Sequence, residues 1–184
     1  VLSDNNLEIK SLSAIAFAKG PGSFTGLRIC LGLVQGLAYG ANLPLIPVSS
    51  LQALAQTGLD AGLVNEHDSV VASIDARMSE IYWCAYQSKQ SIMMPLVSEQ
   101  LTAPSDFVKP IGIIAFVGLG SGLLFRDQIP RANARLCYDQ LLPKASAVAK
   151  NALQQFNSGE TCTAEQAQPT YIRDQVAWKK LSEQ

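Results

Sequence analysis

The run from Gly20 to Ile29, GPGSFTGLRI, joins a short apolar stretch to a long apolar helix through a glycine-dense corner. Residues 13–18 (SAIAFA) have the texture of a buried strand, and Lys19-Gly20-Pro21-Gly22 ends it; from Phe24 to Ala41 nothing stops a helix. Two glycines around a proline allow positive φ and close approach of another chain or ligand. Ser23 or Thr25 can cap the free N–H groups of the helix. The exposed amides and helix dipole of such a corner also suit an anion. The run lacks the Gly-Lys-Ser/Thr of a phosphate-binding loop and is not GxGxxG in its usual form. We therefore favour a tight turn that seats the helix, and keep Gly22 and Ser23 as candidate nucleotide or phosphate contacts.

The helix is more constraining than its cap. Leu27, Ile29, Cys30, Leu31, Leu33, Val34, Leu37, Ala38 and Ala41 cover nearly every direction of a 3.6-residue period, so a single core-facing stripe does not account for them. Gly32, Gly36 and Gly40 recur every fourth residue, although each glycine costs a helix roughly 1 kcal/mol relative to alanine. That spacing suits close packing of two backbones, a geometry best known from membrane helices. A membrane span is not expected, because Arg28 and Gln35 interrupt the run and about 20 apolar residues are needed to cross a bilayer. Arg28, Gly32, Gln35 and Tyr39 fall along one side at i, i+4, i+7 and i+11. This side is expected to meet another protein; the competing reading is burial against a second lobe of the same chain.

With 184 residues, 48% of them hydrophobic and 16% charged, the chain can bury a sizeable core. A net charge of -1 supplies no basic surface for binding nucleic acid unaided, so any service to RNA is expected to run through a partner. The first residues do not read as a signal peptide, and Cys30, Cys84, Cys137 and Cys162 are scattered without CxxC spacing. Free thiols and a cytoplasmic location are the expectation.

After the helix, residues 45–48 read as a buried strand and Ser49 or Ser50 as the cap of a helix over 51–56. Residues 57–68, with Gly58, Gly62, Asn65 and Asp68, form the expected boundary between two lobes. Beyond it the texture is that of strand hairpins. Val70 to Ile74 leads through a turn at 75–79 into Glu80 to Gln87, where Ile81, Trp83 and Ala85 alternate with Tyr82, Cys84 and Tyr86, and a third strand is expected over 93–99. Residues 104–108 predict a short helix and 111–117 a buried strand. Then Gly118-Leu119-Gly120-Ser121-Gly122 repeats the grammar of strand, glycine corner and helix. The last helix is predicted over 144–156, with Ala145, Val148, Ala149, Ala152 and Phe156 on its apolar side. Tyr171, Ile172, Val176 and Trp178 make the end too apolar for a free tail.

This pattern predicts an α/β chain divided into residues 1–57, the remainder of an N-terminal lobe; 58–168, a C-terminal lobe with a mixed sheet; and 169–184, a tail that packs back on the lobes. The first lobe is expected to be incomplete, because no strand hairpin precedes its βα units.

Four segments, KGPGSFTGLRICLGLVQGLAYG, PLIPVSSLQALA, IDARMSEIYWCAY and PTYIRDQVAWKK, resemble the bacterial TsaB family, also called YeaZ, in the family's order and over essentially the whole chain. The resemblance implies an actin-like, Hsp70-like (RNase H-like) ATPase fold of two related lobes. It implies a non-catalytic subunit that dimerises with the catalytic paralogue TsaD, which transfers a threonylcarbamoyl group to the tRNA adenosine beside the anticodon. A TsaE-like ATPase joins the assembly, tRNA is met only through the complex, and the chain in isolation pairs with a second copy. The family's pairing surface maps onto the helix 24–41, with Phe24, Arg28, Gly32, Gln35, Gly36 and Tyr39 as the expected partner contacts.

Catalysis by the chain itself finds little support. The catalytic paralogue binds its metal through a histidine pair, and this chain has one histidine, His67. No metal or cofactor is therefore expected. A stand-alone ATPase or glycoprotease-like peptidase is the alternative. Asp75 is its best lone acid, in a hairpin where this fold class places a phosphate or Mg²⁺ ligand, though a turn aspartate bonded to its own backbone with Arg77 as ion-pair neighbour is the preferred reading. Gly118 and Gly120 are the other candidate nucleotide contacts.

Overall fold

The structure, a computed structural model, describes residues 2–129 and 134–173. Its first half is built on two parallel strands, β1 (Ile15–Gly20) and β2 (Leu45–Ser49), joined by the helix α1 (Phe24–Ala41). α1 starts where Ser23 Oγ accepts a hydrogen bond from the Gly26 N–H at 3.4 Å, and stops at Asn42, whose φ of 55° takes the left-handed conformation of a C-cap. α2 (Ser50–Asp60) follows β2 directly, with Ser49 Oγ accepting from the N–H groups of Leu51 and Gln52, both at 3.1 Å.

A second, six-stranded sheet is made from β3 (Ser69–Arg77), β4 (Glu80–Lys89), β5 (Ile92–Pro95), β6 (Gln100–Thr102), β7 (Phe116–Leu119) and β8 (Ala134–Tyr138). Its order is β5-β4-β3-β7-β8, with β6 also paired to β4. β3, β4 and β5 form an antiparallel meander, while β7 and β8 run parallel to β3 and to each other. Both faces of this sheet are buried. Val70, Ala72, Cys84, Tyr86, Val117 and Leu119 pack on one side against Leu51, Leu54 and Ala55 of α2. Val71, Ile81, Trp83, Ala85 and Phe116 pack on the other with Phe107 and Ile113. The two-residue alternation along β3 and β4 sorts these side chains to opposite faces.

α2 lies between the two sheets, because Ala53, on a different flank, joins Ile46 and Val48 of β2 and Ala152 of α3 (Ala145–Asn157). α2 runs through Thr57 and Gly58 to Asp60, past the loop start expected at 57. Thr57 Oγ1 donates to the Ala53 carbonyl at 2.7 Å and accepts from the Lys144 N–H at 3.0 Å. Gly58 lets the helix approach the sheet, since a Cβ there would stand 2.5 Å from Leu119 Cδ1.

Three other expectations are corrected. Residues 111–115 are a turn rather than a strand: Pro110 supplies no N–H to a sheet, Gly112 has φ 90°, and Ile111 and Ile114 are exposed. The third meander strand, expected over 93–99, ends at Pro95 as β5; residues 96–99 are irregular and β6 begins only at Gln100. The buried side of α3 carries Ala147, Asn151 and Ala152, while Ala145 and Ala149 are exposed.

The segment 162–173 acts as a strap. Cys162 pairs with Leu45 through two backbone hydrogen bonds of 2.8 and 2.9 Å. Ala164 and Ala167 are buried with Phe17, Val34 and Ala38. Thr170 donates its N–H to the Lys19 carbonyl at 2.8 Å. Arg173 then reaches the β3–β4 hairpin, where it bonds the Ala76 carbonyl at 3.1 Å and pairs with the Glu80 carboxylate. The hairpin needs such a clamp, because Arg77, Met78 and Ser79 all have positive φ, which non-glycine residues adopt at a cost. Val176 and Trp178 lie outside the described residues.

Candidate functional site

α1 rests on β1, β2 and the strap through Leu27, Val34 and Ala38, its only buried residues. The helix pattern then puts Ile29, Gly32, Leu33, Gly36, Leu37 and Gly40 together on another face, at i, i+3, i+4, i+7, i+8 and i+11. Ile29 is 69% exposed, Leu33 63% and Leu37 42%. A Cβ placed on Gly32, Gly36 or Gly40 would meet nothing within 4 Å. Three large apolar side chains thus stand as a ridge beside a bare-backbone groove. Such a surface has the relief that ridges-into-grooves packing of two helices uses.

Phe24 and Tyr39, exposed at the two ends, and Arg28 flank this face. The Arg28 guanidinium lies 3.9 Å from the centroid of the Phe24 ring, and its Nε–H donates to the Tyr171 hydroxyl at 3.2 Å. Gln35 is differently placed. Its amide donates to the carbonyls of Ala164 at 2.8 Å and Ala167 at 3.2 Å, so it is half-buried and holds the strap. Sequence reasoning set Gln35 beside Gly32 and Gly36 and missed the Ile29-Leu33-Leu37 ridge as a unit. The i, i+4, i+8 spacing of three large aliphatic residues was the signal available.

The glycine corner before α1 lines a cleft of about 260 Å³, with Gly22, Ser23, Leu54, Ser121, Leu141 and Pro143 in its walls. Gly22 and Ser23 border this space. The other residues considered for nucleotide or phosphate face elsewhere. Asp75 Oδ1 accepts from the Arg77 N–H at 2.8 Å and Oδ2 lies 3.3 Å from the Arg77 guanidinium, so the carboxylate is turned onto its own hairpin. Gly118 and Gly120 are buried. A Cβ on Gly118 would lie 2.9 Å from Leu123 Cδ1, and one on Gly120 only 2.4 Å from the Ser73 carbonyl oxygen. These glycines are required by packing against protein.

Three of the thiols are made poor nucleophiles by burial. Burial pushes Cys84 up to about 11, and burial also raises Cys137 and Cys162. All four cysteines are free. Among the described residues no three His, Cys, Asp or Glu side chains stand close enough to hold a metal ion, and none of the described helices is long and apolar enough to cross a membrane. His67 is exposed on the loop before β3.

An antiparallel three-strand meander continued by two parallel strands in the order 3-2-1-4-5, with βα units in the other half, defines an actin-like, RNase H-like α/β protein. The family model described as "TsaD: tRNA N6-adenosine threonylcarbamoyltransferase" matches residues 1–181. The chain is 38% identical over 196 residues to the tRNA threonylcarbamoyladenosine biosynthesis protein TsaB of Escherichia coli, covering 98% of this chain and 79% of that protein. It is 33% identical to TsaB of Haemophilus influenzae, covering 98% of this chain and 78% of that protein. Among solved structures, YeaZ from Pseudomonas aeruginosa superposes with a TM-score of 0.86 at 36% identity, over 92% of this chain and 78% of that one. The chain belongs to the TsaB (YeaZ) family.

Proposed function

We propose that this chain is a non-catalytic scaffold subunit in the formation of threonylcarbamoyladenosine beside the anticodon of tRNA, acting by docking the exposed face of α1 onto a TsaD-type catalytic subunit. The observation that carries the reading is the ridge of Ile29, Leu33 and Leu37 beside the open groove of Gly32, Gly36 and Gly40. A contiguous apolar surface of this kind marks a protein contact. The names of the curated TsaB relatives supply the pathway, and the match to the TsaD model supports a partner of related fold. On this reading a TsaE-like ATPase joins the same assembly in the cytoplasm, the chain alone pairs with a second copy through the same face, and tRNA is handled by the complex. A net charge of -1 fits that division of labour.

The test is reconstitution. TsaD, threonylcarbamoyl-adenylate and tRNA are incubated with and without this chain, and modified adenosine is read by mass spectrometry. Product is expected only when both proteins are present, and none from this chain with tRNA and adenylate alone. Equal product without the chain, or product from the chain alone, would defeat the scaffold reading.

A further inference from the structure

α1 carries one charged side chain, Arg28, and no carboxylate. Arg28 stands at the edge of the apolar face, one turn before Gly32. Its guanidinium is held by one ring face and one hydroxyl: it lies over Phe24, and its Nε–H is taken by the hydroxyl of Tyr171, whose own ring is 5.5 Å from that of Phe24. Among the described residues no carboxylate is within ion-pair distance of it, and neither terminal amino group has a protein acceptor.

A long cationic side chain on a surface ordinarily loses rotamer freedom when it pairs, and that loss offsets most of the gain. Arg28 is already held by the Phe24 face and the Tyr171 hydroxyl, with its two terminal amino groups left over. Those two groups form the fork that matches a carboxylate in bidentate fashion. Docking of a partner on the adjoining apolar face, past Gly32, would exclude water from the pair and strengthen it.

We infer that Arg28 is the specificity anchor of the α1 face and takes a carboxylate of the TsaD-type subunit, with Tyr171 as the positioning residue. A second copy of this chain brings another α1, which has no acidic side chain; the strap beside it carries the exposed Glu165, and the self-association arm of the test below reads whether Arg28 takes that carboxylate instead. The inference rests on the docking face proposed above.

The test measures binding of the full chain to the TsaD subunit of the same organism by calorimetry, and self-association by sedimentation. Wild type is compared with Arg28→Ala, Arg28→Glu, Tyr171→Phe and, as a control, Leu33→Glu. Arg28→Ala is expected to weaken binding to TsaD by at least about tenfold, and Arg28→Glu by more, with self-association changed less than about threefold. Tyr171→Phe should weaken binding by a smaller factor that disappears in the Arg28→Ala background, which a purely structural role would not produce. If Leu33→Glu abolishes binding while Arg28→Glu binds as wild type, the anchor is wrong and the docking face stands. Unchanged binding by Leu33→Glu would remove the face itself. Loss of self-association alone in Arg28→Glu would assign the anchor to a second copy and overturn the inference.

Discussion

Gln35 donates its side-chain amide to the carbonyl of Ala164 at 2.8 Å, a bond between residues 129 positions apart that determines which flank of α1 is free. The same amide holds Ala167 at 3.2 Å, so one side of the helix is committed to the strap. The side bearing Ile29, Leu33 and Leu37 is left open to solvent.

Replacing Gln35 by Ala removes both donors from the two strap carbonyls. The expected loss is about 1–3 kcal/mol of stability, the usual penalty for leaving a shielded polar group unpaired. Urea unfolding of the wild type and variant measures it. A variant as stable as the wild type would show that the strap does not depend on this contact.

Gly36 gives a two-part prediction. Nothing lies within 4 Å of a Cβ placed there, so Gly36→Ala should raise stability by roughly 1 kcal/mol through helix propensity alone. Gly36→Leu should fold equally well and fail to pair with TsaD, because it fills the groove between ridges. Thermal unfolding and calorimetric titration read the two parts separately.

Gly120 is expected to behave in the opposite way. Its φ of 96° disfavours a side chain, and a Cβ would come within 2.4 Å of both Leu54 Cδ2 and the Ser73 carbonyl oxygen. Left-handed strain and overpacking, each about 1–3 kcal/mol, should together leave Gly120→Ala largely unfolded or poorly soluble. Circular dichroism of the purified variant checks this. A cooperatively folded variant of wild-type stability would argue that the corner is looser than the packing around Leu54 and Ser73 indicates.

Glu99 carries a pH signature. Burial raises its carboxyl above the ordinary 4.5, against the opposing effects of a hydrogen bond from Ser49 and the charge of Lys19. The folded chain therefore holds this proton to higher pH than the unfolded chain. Its contribution to stability is full below 4.5 and is lost as pH rises through the folded value. Glu99→Gln mimics the protonated form, so the variant should gain stability relative to wild type at pH 7 and lose that advantage near pH 4. Denaturant unfolding across this range tests the slope; a difference that does not vary with pH would exclude the carboxyl as its source.

Much of the fold was legible in local chemistry. The boundaries of α1 follow from the glycine corner and the residues after Tyr39, and the two-faced β4 strand from the alternation of Ile81 to Tyr86, while each helix cap was narrowed to two candidates, of which Ser23 and Ser49 are the ones used. What escaped was set by contacts distant in sequence. Gln35, expected on a side that meets another protein, is instead taken by its own chain, because the carbonyls of residues 164 and 167 receive it. The apolar run 111–117 reads as one strand until Pro110 and Gly112 turn its first half outward. Asn151 reads as an outer residue of α3 but is buried beside Ala147 and Ala152, which rotates the core stripe away from Ala145 and Ala149. The strand β8 was not expected, although Ala134, Leu136 and Tyr138 alternate with Arg135 and Cys137 between Asn133 and Asp139; five residues are a weak signal until the parallel pairing with β7 is seen. At the candidate site, the glycine row was visible in sequence, but Gly118 and Gly120 look the same as Gly32 and Gly36 until their neighbours are known.

The docking face of α1 is tested most directly by sedimentation of this chain mixed with TsaD, comparing wild type with Leu33→Glu. The wild type is expected to form a one-to-one complex, and the variant to sediment as separate proteins while unfolding at the same temperature as wild type. A Leu33→Glu chain that assembles with TsaD as the wild type does would contradict the account.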